Sequence, residues 1–244
     1  MNKLMVVCIL GIVGTPLRQA SAQEFAQAGQ VVLGAERIMG VYSDHLTSKP
    51  SDGNNETMNT TSVALIGTAV ALDDSGIAYP ASTPRFAVDV FIVPGLSLGG
   101  SIIYFNRSGS TDTTLNGLGT STTTTHDSPT SATFIFAPRL GYAAQLSPLF
   151  AIWPRAGITY AHYKRTSQNT DATEDTVSVD FTDVTAEVMA TILPVPHVAL
   201  LIGPYLDIPL GGGSKTVTAS VESTNHPSIK YLSVGLTTGL AAYF

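Results

Sequence analysis

Along most of this chain, hydrophobic residues alternate with small or polar residues at a period of two. The clearest case is the stretch from Ser228 to Phe244, where Leu232, Val234 and Leu236 share one face and Ser, Thr and Gly occupy the other. Such alternation predicts β-strands with one apolar face. That face would fill the core of a soluble protein, whereas in a membrane barrel it faces lipid and the small polar face lines a narrow lumen.

The alternating segments predict eight strands, joined in turn by tight turns and by long polar loops. The tight turns are expected near Pro94-Gly95, Ser147-Pro148 and Pro194 to Pro196, because Pro and Gly favour turns. The long loops are expected at 43–84, 107–131, 164–175 and 211–227, which are rich in Ser, Thr, Gly and Asp. The predicted strands are Val31 to Tyr42, Arg85 to Val93, Leu96 to Asn106, the two arms of each hairpin in Ala132 to Tyr163 and in Thr176 to Leu210, and Ser228 to Phe244.

Alternation of short and long connections is typical of outer-membrane barrels, which have short periplasmic turns and longer extracellular loops. The sequence therefore predicts an all-β fold: an eight-stranded antiparallel up-and-down transmembrane β-barrel with both chain termini at the periplasm. The short apolar piece from Ser62 to Leu72 is the open point. As a spanning strand it would give nine strands and break the parity, so we interpret it as a short strand within the first long loop.

Composition supports strands rather than helices. Only 12% of residues are charged, about half the usual share, while 44% are hydrophobic. Exposed helix faces normally carry Glu and Lys, and here their place is taken by Gly, Ser and Thr. No later stretch has 18 uninterrupted apolar residues, so no transmembrane helix is predicted.

The N-terminus has the form of a secretory signal. Lys3 precedes the apolar run from Leu4 to Val13, and Ala20-Ser21-Ala22 has the small-x-small form of a cleavage site. We expect residues 1–22 to be removed and residues 23–244 to form the barrel domain in the outer membrane. Cleavage removes Cys8, the chain's one cysteine, and with Lys3 and Arg18 gone 10 basic residues face 18 acidic ones, a formal charge of −8. This balance argues against a nucleic-acid partner.

Together, the signal, the eight alternating segments, the loop asymmetry and the terminal Ala241-Ala242-Tyr243-Phe244 resemble the small outer-membrane β-barrel superfamily of Gram-negative bacteria. The segments APRLGYAAQLSPLFAIWPRAGITY and PHVALLIGPYLDIPL are similar to those of uncharacterised proteins of this type. The resemblance implies that outer-membrane lipid and the barrel assembly machinery are the partners. It also implies that Phe244, as the C-terminal aromatic residue, is the assembly signal.

Charged residues on the less apolar strand faces are the candidate site. An eight-stranded barrel is only wide enough for side chains to fill, so inward charges must pair with one another. Glu36 and Arg37 are consecutive and both can face inward only if the strand carries a bulge. The predicted lumen charge network comprises Glu36, Arg37, Asp89, Arg139, Arg155, Glu187 and Asp207.

We expect no enzymatic activity. Of the five histidines, His162 is the one at lipid-headgroup level, beside Tyr160 and Tyr163, and the sequence shows no nucleophile and base that would converge there. No cofactor motif and no metal-ligand spacing is present. The predicted role is structural or in surface interaction, with a filled lumen; the alternatives are a narrow, porin-like pore or passive transporter, and a soluble secreted barrel that binds a small apolar ligand.

Overall fold

The computed structural model describes residues 25–49, 56–64, 83–117, 120–168, 174–218, 221–222 and 227–244. In these ranges the regular structure consists of β-strands. No helix among them is long and apolar enough to cross a bilayer. The strands are β1 (Val31–Lys49), β2 (Glu56–Ala64), β3 (Arg85–Val93), β4 (Leu96–Gly117), β5 (Thr120–Tyr142), β6 (Ala144–Ser147), β7 (Phe150–Gln168), β8 (Glu174–Val195), β9 (Val198–Thr218), β10 (Val221–Glu222) and β11 (Ser228–Tyr243).

Eight of these strands close into an antiparallel barrel. β1 pairs with β3, and the pairing continues through β4, β5, β7, β8 and β9 to β11. β11 pairs back with β1, from Val32 opposite Tyr243 to Lys49 opposite Ser228. Closure pairs the backbones of neighbouring strands around the ring, the arrangement that a membrane-spanning sheet requires. The predicted eight-stranded fold, including the pairing of its first and last strands, is confirmed.

The two ends of the barrel differ. The turn end carries the tight connections at 94–95, 148–149 and 196–197, close to the predicted positions. At the hairpin end the strands are much longer than predicted. The ladder between β4 and β5 continues from Arg107 opposite Ser131 to Gly117 opposite Thr120, so the prediction of a loop at 107–131 is wrong. The predicted loops at 164–175 and 211–227 are also too long, because β7 runs to Gln168 and β9 to Thr218.

β1 shares one of its edges between two strands. Its part near the turn end pairs with β3, up to Glu36 opposite Arg85, and its part near the hairpin end pairs with β2, from Gly40 opposite Ala64. The prediction of a loop over 43–84 is therefore wrong for 43–49 and 56–64. Of the piece from Ser62 to Leu72, residues 62–64 form the end of β2. Among the described strands, β2 pairs with β1 alone. Residues 65–72 lie outside the described residues.

A β-bulge in β1 brings two consecutive charges inward. Between Ala35 and Met39, β1 takes four steps while β11 takes two, from Leu240 to Thr238. Within the bulge Arg37 has a φ of 54°, a left-handed conformation that is uncommon for a residue with a side chain. Both Glu36 and Arg37 are buried, at 4% and 1% exposure. The predicted bulge is confirmed.

The strands are strongly staggered around the barrel. Pairs followed once round the wall, starting at Val31, return to β1 at Ser43, twelve residues further along. The bulge supplies two of these residues, which leaves ten over eight strands. Such a stagger implies strands inclined by about 40° to the barrel axis. Each row of paired residues therefore climbs toward the hairpin end by roughly one and a quarter residues per strand.

The inner and outer faces have opposite chemistry. Outward side chains are apolar and exposed; Leu200, Ile202, Leu232 and Leu236 are between 37% and 47% exposed. On β7 the outward apolar residues run from Phe150 to Tyr160, about 33 Å along the strand and about 25 Å in height after the tilt. That height matches the apolar band of a membrane barrel. The buried face instead contains Arg, Asp, Glu, Ser and Thr together with aromatic and apolar residues.

Candidate functional site

A continuous chain of ion pairs crosses the lumen. Acidic and basic side chains alternate along it, so that each arginine lies between two carboxylates. Six wall strands contribute: β1, β3, β5, β7, β8 and β9. The structure thus brings together all seven charged residues considered from the sequence. In order of contact they are Asp89, Arg139, Glu36, Arg155, Glu187, Arg37 and Asp207.

The contacts have hydrogen-bond geometry. Arg139 donates to Glu36 at 2.6 and 2.8 Å, and its Nε donates to Asp89 at 3.0 Å. Arg155 donates to Glu187 at 2.7 Å and also to Glu36, so that it bridges the two acids. All of these side chains are at most 8% exposed. Charges removed from water to this extent are tolerated only when paired and hydrogen-bonded, as they are here.

At the other end of the chain of ion pairs, the contacts centre on Arg37. Its guanidinium donates to Asp207 at 3.0 Å and to Glu187 at 3.2 Å, and it lies 4.3 Å from the centre of the Tyr205 ring. Arg155 makes a similar cation–π contact with Trp153 at 4.8 Å. Planar guanidinium groups can both hydrogen-bond carboxylates and stack on aromatic rings, which lysine cannot do as well.

Sequence reasoning missed several lumen residues that alternation could have found. Arg85 and Asp183 are buried at 3% and 1% exposure, and Arg85 lies within electrostatic reach of Asp207, Glu187 and Glu36. Asp183 precedes Glu187 by four residues on β8 and so shares its face. Thr185, between them on that face, donates to Asp207 at 2.7 Å.

An aromatic cluster closes the lumen at the turn end. Phe25, which precedes β1, inserts its ring among Phe91, Trp153 and Tyr243, with centroid distances of 5.2–5.7 Å in edge-to-face geometry. The backbone is held in place as Gly95 N–H donates to the Ala26 carbonyl at 2.9 Å. Phe25 is 1% exposed, so this cluster, which we call the stopper cluster, is closely packed and closes the lumen at the turn end.

A second cluster, rich in tyrosine, fills the lumen toward the hairpin end. It surrounds Asp44, which is 3% exposed and accepts hydrogen bonds from Tyr231 at 2.7 Å and Ser233 at 2.6 Å. Tyr205 in turn contacts Ser233 at 2.6 Å, and its ring carries the Arg37 guanidinium. The polar contacts of the ion-pair chain are therefore continuous with those of this cluster.

Little space is left between these layers. Along β1, β7 and β8, the charged residues lie between members of the two apolar clusters. The cavity bordered by Arg139, Arg155 and Glu187 has a volume of about 10 Å³. A cavity of this size admits about one water molecule. In the described part of the chain, the lumen at this level is filled by side chains.

On the outer surface, His162 has partners that sequence reasoning did not find. Its Nδ1 lies 2.7 Å from Asp180, which also accepts a hydrogen bond from the Tyr160 hydroxyl at 2.8 Å. Asp180 lies directly opposite His162 on β8. On β7, His162 is the next outward position after Tyr160, where the apolar band ends. Among the described residues, no serine or threonine hydroxyl hydrogen-bonds to His162, and no group of three or more potential metal ligands occurs.

The C-terminal residue takes part in closing the barrel. Phe244 and Val31 exchange two backbone hydrogen bonds of 3.0 and 3.1 Å. The Phe244 ring faces outward, 61% exposed, and stacks on His197 at 6.2 Å. His197 also contacts the Tyr243 carbonyl through Nδ1 at 2.8 Å. The turn between β8 and β9 therefore holds the end of the last strand.

A closed antiparallel ring of eight strands, with an apolar outer band and a charged, filled lumen, defines a small outer-membrane-type β-barrel. The resemblance inferred from the sequence is confirmed at the level of fold. The soluble alternative is wrong, because Leu200, Ile202, Leu232 and Leu236 face outward instead of filling a core.

The sequence matches no protein-family model and none of the curated proteins. Among solved structures, the chain is similar to the outer membrane protease OmpT from Escherichia coli, at 10% identity and a TM-score of 0.44, covering 91% of this chain and 99% of that one. A major outer membrane protein from Thermus thermophilus gives 12% identity and a TM-score of 0.45, covering 88% and 99%. Ail, the attachment invasion locus protein of Yersinia pestis, gives 7% and 0.33, covering 87% and 99%. At identities and TM-scores this low, no function can be transferred from these proteins. The fold class is assigned from the closed ring of strands and the apolar outer surface of this chain.

Proposed function

We propose that the mature chain is a non-enzymatic outer-membrane barrel whose lumen is closed by side chains and whose role is structural or in surface interaction. The observation that carries this proposal is the chain of seven alternating charges lying between two apolar clusters. Such a filling leaves no aqueous path of ionic width at the level of Arg139 and Arg155. By the rule of short periplasmic turns, the turn end faces the periplasm and the hairpin end faces the exterior.

The charged layer acts as the rigid centre of the barrel. Each guanidinium bridges carboxylates from different strands, so Arg139 ties β5 to β1 and β3, and Arg155 ties β7 to β1 and β8. A buried pair of this kind adds little net stability over an apolar filling, but it allows few alternative arrangements. We assign it the role of fixing one register for the wall. The surface role falls to the hairpin end, where β4 and β5 extend furthest.

Planar bilayer recording tests the closed lumen. The mature chain, refolded in detergent and reconstituted, is expected to show no steady single-channel conductance, because ions cannot pass the paired charges. Flotation of the same protein with vesicles shows that it has inserted, and a known porin serves as the positive control. Steady conductance from inserted protein would contradict the proposal and support the narrow-pore alternative.

A hydrolysis assay tests the absence of catalysis at His162. Its ring is held by Asp180, yet in the described contacts no nucleophile is positioned beside it. We expect wild-type protein in mixed micelles to release no fatty acid from phospholipid or lipid A. Release by the wild type that disappears in His162→Ala, while the folded state is retained, would overturn the non-enzymatic assignment.

A further inference from the structure

Three outward-facing prolines interrupt the pairing of the wall strands. They are Pro138 on β5, Pro154 on β7 and Pro204 on β9. Each is paired with the neighbouring strand on one edge, while on the other edge the pairing skips two positions beside the proline. Proline has no amide hydrogen to donate to a neighbouring strand, so a break in the ladder beside each one is expected.

The break at Pro138 lies between β5 and β7. Phe136 is opposite Tyr160 and Arg139 is opposite Gly157, but residues 137 and 138 have no partner on β7. The break at Pro154 falls on the same edge of β7, nearer the turn end. Two of the three breaks thus weaken one side of β7, and the backbone there lacks part of its usual cross-strand contact.

A cavity of about 10 Å³ lies at the Pro138 break. Its border includes Pro138 and Ala156, which are exposed on the outer face of the wall. It also includes the buried lumen residues Arg155 and Thr159, with Gly157 midway between them on the same face of β7. The cavity therefore lies within the thickness of the wall, and its volume is about that needed by one water molecule.

One buried donor at this cavity has no acceptor in the described part of the chain. Arg155 donates through its two terminal nitrogens to Glu36 and Glu187, whereas its Nε has no hydrogen-bond partner among the described residues. The side chain is buried, so bulk water does not reach the Nε–H group. Leaving a buried N–H group without an acceptor is costly, so a bound partner is expected.

Thr159 supplies a matching acceptor at the same cavity. Its Oγ1 lies 2.7 Å from Thr185 Oγ1, and Thr185 donates to Asp207 at 2.7 Å. A hydroxyl group has one hydrogen, so Thr159 must be the donor in its contact with Thr185. The Thr159 oxygen therefore has lone pairs left to accept a hydrogen bond and no hydrogen left to donate.

We infer that this cavity binds a single water molecule, which accepts a hydrogen bond from Arg155 Nε and donates one to Thr159 Oγ1. An ion does not fit the charges at its border. Three arginines disfavour a cation, and Glu187 disfavours an anion. A water molecule is neutral and both donates and accepts, so it satisfies the two groups together.

The bound water completes a ring of polar contacts in the lumen. From Arg155, one path reaches Asp207 through the ion pairs of Glu187 and Arg37. The other path reaches the same acid through the water, Thr159 and Thr185. The ring links β7, β8, β9 and β1 at the level where β7 lacks pairing with β5. This inference goes beyond the closed-lumen role, and a bilayer recording does not decide it.

A crystal structure of the refolded mature protein tests the site directly. In a map that shows ordered waters elsewhere on the barrel, we expect one water within about 3.2 Å of Arg155 Nε and of Thr159 Oγ1. A crystal soaked in bromide is expected to give no anomalous peak at this position. An empty cavity would overturn the inference, and a bromide peak would replace the water by an anion.

Three variants test the assigned partners. Thr159→Val removes the acceptor while keeping a similar shape, so the water is expected to be lost, and Thr159→Ser is expected to retain it. Thr191→Val is the matched control, because Thr191 is also a buried threonine but does not border this cavity. We expect that control to retain the water.

Retention of the water in Thr159→Val would overturn the role of Thr159, and its loss in Thr191→Val would show that the cavity responds to any change in the lumen. Unchanged heat-modifiable migration establishes that each variant is folded. If Thr159→Val does not fold, the wild-type and Thr159→Ser crystals still decide whether the water is bound.

Discussion

At the scale of single residues, the lumen shows why a barrel can hold many charges. Arg139 pairs with both Glu36 and Asp89, and Glu36 is shared with a second arginine, Arg155. Replacing any member of the chain of ion pairs by an uncharged residue leaves a neighbouring charge buried with fewer partners. The penalty for removing one partner of a buried pair is therefore larger than the net value of the pair.

Substituting Arg139 by methionine tests this. Arg139→Met leaves Asp89 without its arginine and Glu36 with only one, so we expect the free energy of unfolding to fall by about 3 kcal/mol or more. Trp153, the single tryptophan, reports unfolding in urea through its fluorescence, since it is buried in the stopper cluster. The exposed control, Lys49→Met, should change stability by less than about 0.5 kcal/mol. Similar small changes in both variants would contradict a tightly coupled chain.

At the scale of strands, inward glycines let neighbouring backbones approach closely. A Cβ on Gly203 would overlap the Val188 carbonyl oxygen on β8, a backbone atom that cannot move aside. The register between β8 and β9 is the same on either side of this position, from Glu187 opposite Tyr205 to Ala190 opposite Ile202, so the two backbones stay in line past Gly203. Glycine at 203 is a requirement of the wall and not of a turn.

Gly203→Ala and Gly211→Ala form a matched pair on β9. The first should destabilise the barrel by about 2 kcal/mol or more, because the strands must separate to admit the methyl group. The second should be close to neutral, since nothing lies within 4 Å of the added Cβ. Urea midpoints in the same detergent give the comparison. Equal midpoints for the two variants would show that the wall is not tight at Gly203.

Strand positions within the bilayer followed from the sequence, and strand lengths beyond it did not. Between Arg85 and Tyr104, lipid on one side and lumen on the other force a strict alternation, which is visible in the residues. Over 107–131 the sequence has no apolar alternation, so no pattern in the residues marks the ladder that continues there. Threonine, being β-branched, favours extended backbone without any burial.

The seven charges of the ion-pair chain were predictable from the sequence, but Arg85 and Asp183 were missed and the order of contacts was not predictable. Period-two alternation places Arg139, Arg155 and Glu187 inward, and the neighbours Glu36 and Arg37 require a bulge, which is present. Which acid meets which arginine depends on the stagger of the wall, and that is fixed by cross-strand register instead of by any local sequence signal. Phe25 was missed for another reason, because it precedes the first alternating segment.

At the scale of the whole molecule, closure depends on the last residue. Phe244 exchanges two backbone hydrogen bonds with Val31, while its ring lies on the outside against His197. Once the barrel has closed, the backbone of this residue is occupied. A role as assembly signal would therefore belong to the stage before closure.

Deleting Phe244 separates assembly from stability. We expect several-fold lower levels in the outer membrane, while protein refolded from urea loses no more than about 2 kcal/mol, the value of two exchanged hydrogen bonds. His197→Ala, which removes only the stacking ring, is the control and should keep normal levels. Normal outer-membrane levels of the deletion variant would refute the role of Phe244 in assembly.

The long polar hairpin of β4 and β5 has a consequence for how the barrel reaches and leaves its membrane. By sequence, its paired residues beyond Arg107 are mostly Ser, Thr, Gly and Asp, yet on insertion from the turn side they must cross the hydrocarbon once. Polar side chains cost free energy in hydrocarbon even where the backbone is paired, so we expect this crossing to set a high activation barrier. The same barrier opposes extraction. We therefore expect slow exit from the membrane to add to the equilibrium stability of the inserted barrel.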